Sequence, residues 1–129
     1  MAELNVKDRD LVAGDTWTFI RTYAGLPTGV TISKVYLTIK ENETDLDAAA
    51  KVQKSITTSA TADGQITDAD SSGDGEIAFN IIIEASKSDD LTPEVDYFYD
   101  FQGIDSNGYV YTFEKGKITP RQGITDAAT

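Results

Sequence analysis

Hydrophobic and polar residues alternate along most of this chain. From Lys34 to Lys40, Val35, Leu37 and Ile39 fall on one side, and Lys34, Tyr36, Thr38 and Lys40 on the other. A period of two places alternate side chains on opposite faces of a strand, so this segment reads as a half-buried strand. Glu76 to Ile83 repeats the pattern with Ile77, Phe79, Ile81 and Ile83 inward, and Ile82 implies partial cover of the other face. Thr16 to Tyr23 alternates around Trp17 and Phe19, Lys51 to Thr58 around Val52 and Ile56, and Gln65–Thr67 is a short strand. Tyr97, Tyr99 and Phe101 precede the turn-forming run Asp105-Ser106-Asn107-Gly108, and Tyr109, Tyr111 and Phe113 follow it. Aromatic residues suit a pleated surface and Asp, Asn and Gly suit turns, so this is a β-hairpin. Lys115-Gly116 then introduces a last short strand, Lys117–Thr119, ended by Pro120. Single helical turns are expected within Asp45–Ala50 and Glu84–Leu91.

About seven or eight short strands with frequent turn signals, and no long 3.6-residue periodicity, predict an all-β fold. The expected architecture is a single antiparallel β-sandwich. Its core would hold Trp17, Phe19, Val35, Leu37, Ile39, Ile77, Phe79 and Ile81, the inward phase of the strongest strands. Residues 1–13 read as a peripheral arm or edge strand, 14–122 as the sandwich and 123–129 as a flexible tail.

Composition narrows the function classes. The 129 residues suffice for one modest core. A formal net charge of −11 repels phosphate backbones and anionic membranes, so neither nucleic acid nor membrane is an expected partner. The chain has neither cysteine nor histidine. Disulfides, Cys/His zinc sites and Ser-His-Asp triads are therefore excluded on this chain alone. The N-terminus lacks a basic and apolar leader, and the longest apolar run, Ile81–Ile83, is too short to span a bilayer. Synthesis in a bacterial cytoplasm without a signal peptide is expected.

Three motifs in order carry a family resemblance: Gly14-Asp15-Thr16-Trp17; Leu91-x-Pro93-x-x-x-Tyr97-x-Tyr99-Asp100; and Gly108-x-Val110-x-Thr112 leading to Gly116-x-Ile118-Thr119. Together, from Gly14 to about Thr125, they resemble the small immunoglobulin-like β-sandwich proteins of tailed bacteriophages and prophages, near the N-terminal domain of siphophage baseplate upper proteins. The chain departs from that pattern at Glu94, where a glycine is usual. The resemblance implies an immunoglobulin-like fold and a place in the virion, in tail, baseplate, neck or capsid surface. Other virion proteins and further copies of the chain are the implied partners. Asp100 is expected beside the hairpin loop, accepting backbone N–H groups there.

Candidate chemistry is sparse. Asp68, Asp70, Ser72 and Asp74, with Gly73, partly follow a calcium-loop pattern, in which alternate oxygen ligands converge on one point. Phe79 stands where the closing bidentate glutamate belongs, and Glu76 is out of step, so a solvated acidic turn is expected and no metal or cofactor. Asp89-Asp90 and Glu94-Val95-Asp96 offer carboxylate pairs of the kind glycosidases use, but acids this numerous pair by chance. Trp17 is assigned to the core rather than to sugar stacking. Asn42-Glu43-Thr44 is a formal glycosylation sequon without a leader to make it meaningful. No catalytic residue and no small-molecule substrate are expected. The alternative function is a carbohydrate-binding module using Tyr36 and Tyr109 with calcium in the Asp68–Asp74 loop.

Overall fold

The computed structural model describes residues 11–70 and 74–123. Seven strands make up the fold: β1 (Trp17–Tyr23), β2 (Ile32–Lys40), β3 (Val52–Ile56), β4 (Gly64–Asp68), β5 (Ile77–Ile83), β6 (Tyr97–Asp105) and β7 (Val110–Ile118). They form two antiparallel sheets, one ordered β1-β5-β4 and the other β3-β2-β6-β7. The all-β sandwich is as the alternation predicts. The links β1–β2, β3–β4 and β5–β6 each pass from one sheet to the other, as Greek-key connections do. Helix is confined to a 3₁₀ turn at Asp47–Ala49 and one α turn, α1 (Ala85–Ser88), inside the two segments where single turns are expected.

The core lies between the sheets, and all eight predicted residues are buried in it. Phe19, Phe79 and Phe101 meet there with ring centroids 5.6–5.7 Å apart, the offset and edge contacts that aromatic quadrupoles favour. One edge of the sandwich is stitched where the chain crosses from β3 to β4: the Ile66 N–H donates to the Thr57 carbonyl at 2.8 Å. There Lys54 reaches Asp63 at 3.1 Å and Glu84 at 2.6 Å.

The structure corrects four sequence-based expectations. Lys117–Thr119 is not a separate strand; it continues β7 to Ile118. The phase change that resembles a break is a β-bulge. Phe101 pairs with Glu114 and Gln102 with Thr112, leaving Phe113 as the extra residue. A bulge places two residues against one and shifts the pleat, so Phe113 packs inward and Lys115 and Lys117 move to the outer face. Gly103 makes room, because a Cβ there would stand 2.6 Å from the Phe113 ring.

Second, Asp105 rather than Asp100 organises the hairpin loop. Its Oδ1 accepts the Asn107 and Tyr109 N–H groups at 2.8 and 2.9 Å, and its Oδ2 accepts the Tyr111 hydroxyl. Asp100 lies five residues back, in mid-strand opposite Thr38 and Lys115. Third, Tyr109 does not share the buried face with Phe113; it is 66% exposed. Fourth, the described end of the expected arm is not peripheral. Leu11 is 3% exposed and belongs to the core, the Val12 carbonyl accepts the Trp17 indole N–H at 2.8 Å, and Val12 bridges Arg121. Residues 1–10 and 124–129 lie outside the described residues.

Candidate functional site

The outer face of the β3-β2-β6-β7 sheet carries a shallow groove of about 880 Å³. Strand alternation and register fix its floor. Thr38 on β2 lies opposite Gln53 on β3 and Asp100 on β6, and Asp100 lies opposite Lys115 on β7. Tyr36 and Gln102 are paired one step along, and Lys40 and Phe98 one step the other way. Gln53 Nε2 donates to Thr38 Oγ1 at 3.1 Å, and Gln102 Nε2 to Thr112 Oγ1 at 3.3 Å. Two rings carry ammonium groups of their own face: Lys34 Nζ sits 5.7 Å from the Tyr36 centroid, and Lys117 Nζ 5.6 Å from that of Phe98.

The electrostatics of this face differ from those of the chain. Lys40, Lys115 and Lys117 line the groove against Glu43, Asp47 and Asp100, so the lining is formally neutral. Lys40 pairs with Asp47 at 2.9 Å and Lys115 with Glu43 at 3.6 Å. The Asp100 carboxyl is raised above its ordinary value by burial, with Lys40 opposing the shift. No histidine or cysteine is available to pair with these acids as base or nucleophile. The arrangement supports contact chemistry: hydrogen bonding by amides and hydroxyls, ring packing and ion pairing.

A second constellation, not anticipated from sequence, closes the β1–β7 edge. The bulge in β7 turns Glu114 toward β1. Its Oε1 accepts Arg21 Nε–H at 2.9 Å and its Oε2 accepts the Tyr99 hydroxyl at 2.5 Å, while the Tyr23 hydroxyl also donates to it. The Arg21 guanidinium lies 5.5 and 5.4 Å from the Phe19 and Phe101 centroids. Burial alone would raise the Glu114 carboxyl, but the donors from Arg21, Tyr23 and Tyr99 outweigh it and hold the group below its ordinary range. Burial, and then the bond to Glu114, push the Tyr23 hydroxyl upward. Every polar partner is saturated, so this cluster is a clasp.

The candidates read from sequence are dispersed. Trp17 is 2% exposed, in the core. Tyr36 lines the groove, whereas Tyr109 sits at the hairpin end and does not. Glu94 pairs with Arg121 at 3.1 Å, and Asp96 accepts the Thr119 hydroxyl at 2.6 Å; neither they nor Asp89 and Asp90 enter the groove. Asp68, Asp70 and Asp74 lie at the β4–β5 connection of the other sheet, and Ser72 lies outside the described residues. Glu76, out of step by position counting, has its carboxylate within 4.8 Å of those of Asp68 and Asp74. No local signal reveals that meeting, since it depends on which residues pair across β4 and β5.

No helix among the described residues is long and apolar enough to cross a membrane. No protein-family model and no curated protein matches the chain. Among solved structures the chain is similar to part of Astrotactin-2, described as a conserved vertebrate-specific and perforin-like membrane protein involved in neuronal development. That similarity has 15% sequence identity and a TM-score of 0.49, and it covers 87% of this chain and 20% of the other.

Proposed function

We propose that this chain is a non-enzymatic virion structural protein of a tailed bacteriophage or prophage, an immunoglobulin-like sandwich that works through protein–protein contacts. The strand order supports the immunoglobulin-like reading, because β1-β5-β4 against β3-β2-β6-β7 corresponds to strands B-E-D against C′-C-F-G. So does Tyr97. It stands at the start of β6, buried, and its hydroxyl accepts the Thr92 N–H at 2.7 Å, the geometry of the tyrosine corner of such domains. The family pattern has glycine where this chain has Glu94, and Glu94 adopts φ 66°, a conformation natural to glycine.

The observation that carries the contact reading is the neutral groove face on a chain of net charge −11. An acidic surface keeps copies apart; the face where lysines and acids balance is where a partner meets least repulsion. Lys34, Lys40, Lys115 and Lys117 put four of the chain's 11 basic residues there. Mass spectrometry of purified particles tests the virion role: the chain is expected at stoichiometric copy number, and its absence overturns the assignment. Sedimentation velocity with Lys115→Glu/Lys117→Glu tests the face. Weakened assembly with an unchanged melting temperature is expected, and normal assembly moves the contact elsewhere.

A second reading, carbohydrate binding, is favoured by the same groove, where Thr38, Gln53, Gln102 and Asp100 offer partners for sugar hydroxyls beside Tyr36 and Phe98. Saturable binding of a neutral oligosaccharide, lost in Asp100→Asn, would make this the primary reading.

A further inference from the structure

We propose that the β4–β5 loop binds one calcium ion through Asp68, Asp74 and Glu76, with Asp70 as the fourth carboxylate of the site. The inference stands apart from the virion reading. It starts from strand register. A bulge at Thr67 leaves Asp68 paired with Ala78. Alternation puts Glu76 on the same face as Ala78, two residues away, so Asp68 and Glu76 become neighbours across the ladder. Asp74 Oδ1 accepts the Glu76 N–H at 3.0 Å, which folds Asp74 back beside them. The three carboxylates then offer oxygens within 4.8 Å of one another, the spread of ligands around one calcium bound at about 2.4 Å. Among the described residues, no lysine or arginine is paired with any of the three.

Asp70 supplies an independent observation. It is 2% exposed, and its Oδ2 has no hydrogen-bond partner, the sole such buried side-chain atom among the described residues. A buried carboxylate oxygen left unpaired is costly, and a bound ion is one of the few things that resolve it. The carboxylate is lodged between the two arms of the cluster. Asp68 Oδ1 accepts the Asp70 N–H at 2.9 Å, and Asp70 Oδ1 accepts the N–H of Gly75, between Asp74 and Glu76, at 2.9 Å. Those bonds occupy one oxygen each of Asp68, Asp70 and Asp74, leaving the second oxygens and both of Glu76 for a cation. All-oxygen, carboxylate-rich ligation with room for water suits calcium; magnesium requires a tighter octahedron and dehydrates reluctantly.

The test is isothermal titration of the chelator-stripped full chain with CaCl₂ and, separately, MgCl₂, with melting curves in calcium and in excess EGTA. One calcium per chain, magnesium at least tenfold weaker, and a melting temperature higher in calcium than in EGTA are expected. Asp74→Asn/Glu76→Gln, at exposed positions, should keep the wild-type far-UV circular dichroism and lose calcium affinity at least tenfold. Asp70→Asn should raise the melting temperature in EGTA, where the unpaired anion is removed, and shrink the calcium-dependent rise. Absence of calcium binding overturns the proposal, as does unchanged affinity in the double variant. Equal affinity for magnesium overturns the choice of calcium.

Discussion

Single side chains decide more here than their number implies. Phe79 is 1% exposed and touches the rings of Tyr23, Phe101 and Phe113; Phe79→Ala is expected to cost about 3–5 kcal/mol by denaturant unfolding. Glu114 couples stability to pH at both ends. Its carboxyl is held below the ordinary value of 4.5, so its contribution is present above pH 4.5 and is lost as pH falls below it. Tyr23 is shifted the other way. Its contribution is present below pH 10 and is lost as pH rises through and beyond 10. Unfolding midpoints measured from pH 3 to 11 should therefore show Glu114→Gln less stable than wild type at pH 7, with the gap closing toward pH 3. Tyr23→Phe should flatten the alkaline decline. Glu94→Gly should gain about 0.5–1 kcal/mol, since relief of a left-handed backbone exceeds the added freedom of the unfolded chain. The alternation of Val35, Leu37 and Ile39 made core positions legible in the sequence. The partner of Glu114 was not, because Arg21 is 93 residues away and only the fold joins them.

At the scale of elements, β6 and β7 show what local pattern conveys and what it hides. The turn residues located the hairpin, and the aromatic trio on β6 gave its buried face. The single extra residue at Phe113 was invisible, because a bulge changes phase without changing composition. Everything downstream of it was thereby misread as a new strand. The β4–β5 connection has the same origin: position counting removed Glu76 from a calcium loop, while the bulge at Thr67 brings it back beside Asp68. Gly103→Ala tests the β7 bulge. A methyl 2.6 Å from the Phe113 ring must displace it, and a loss of about 1–3 kcal/mol is expected in thermal or urea unfolding. An unchanged stability would mean that Phe113 is not packed on Gly103.

For the molecule as a whole, composition excluded Cys/His chemistry, and alternation supplied the two-sheet architecture. What the sequence could not carry was the distribution of charge, since lysines distant in the chain gather on one sheet face only after β2, β6 and β7 pair. The described end of the N-terminal segment was misjudged for a similar reason. Leu11 is flanked by polar residues and reads as an arm, yet it fills a gap in the core. Deleting residues 1–13 removes Leu11 and the carbonyl that accepts the Trp17 indole N–H. A cost of about 2–5 kcal/mol is expected in melting experiments, not the neutrality of a dispensable arm.

The bridge between Val12 and Arg121 has a topological consequence. The Arg121 N–H donates to the Leu11 carbonyl at 2.8 Å and the Ala13 N–H to the Arg121 carbonyl at 3.0 Å, so the two chain ends run side by side where they join the sandwich. A short linker there would close the chain into a circle with little distortion. New ends opened at the exposed Ser106-Asn107-Gly108 turn would give a circular permutant with the same two sheets. In a larger assembly the same adjacency makes the domain a bead hung from a single point, free to be spliced into a host loop without parting the strands on either side.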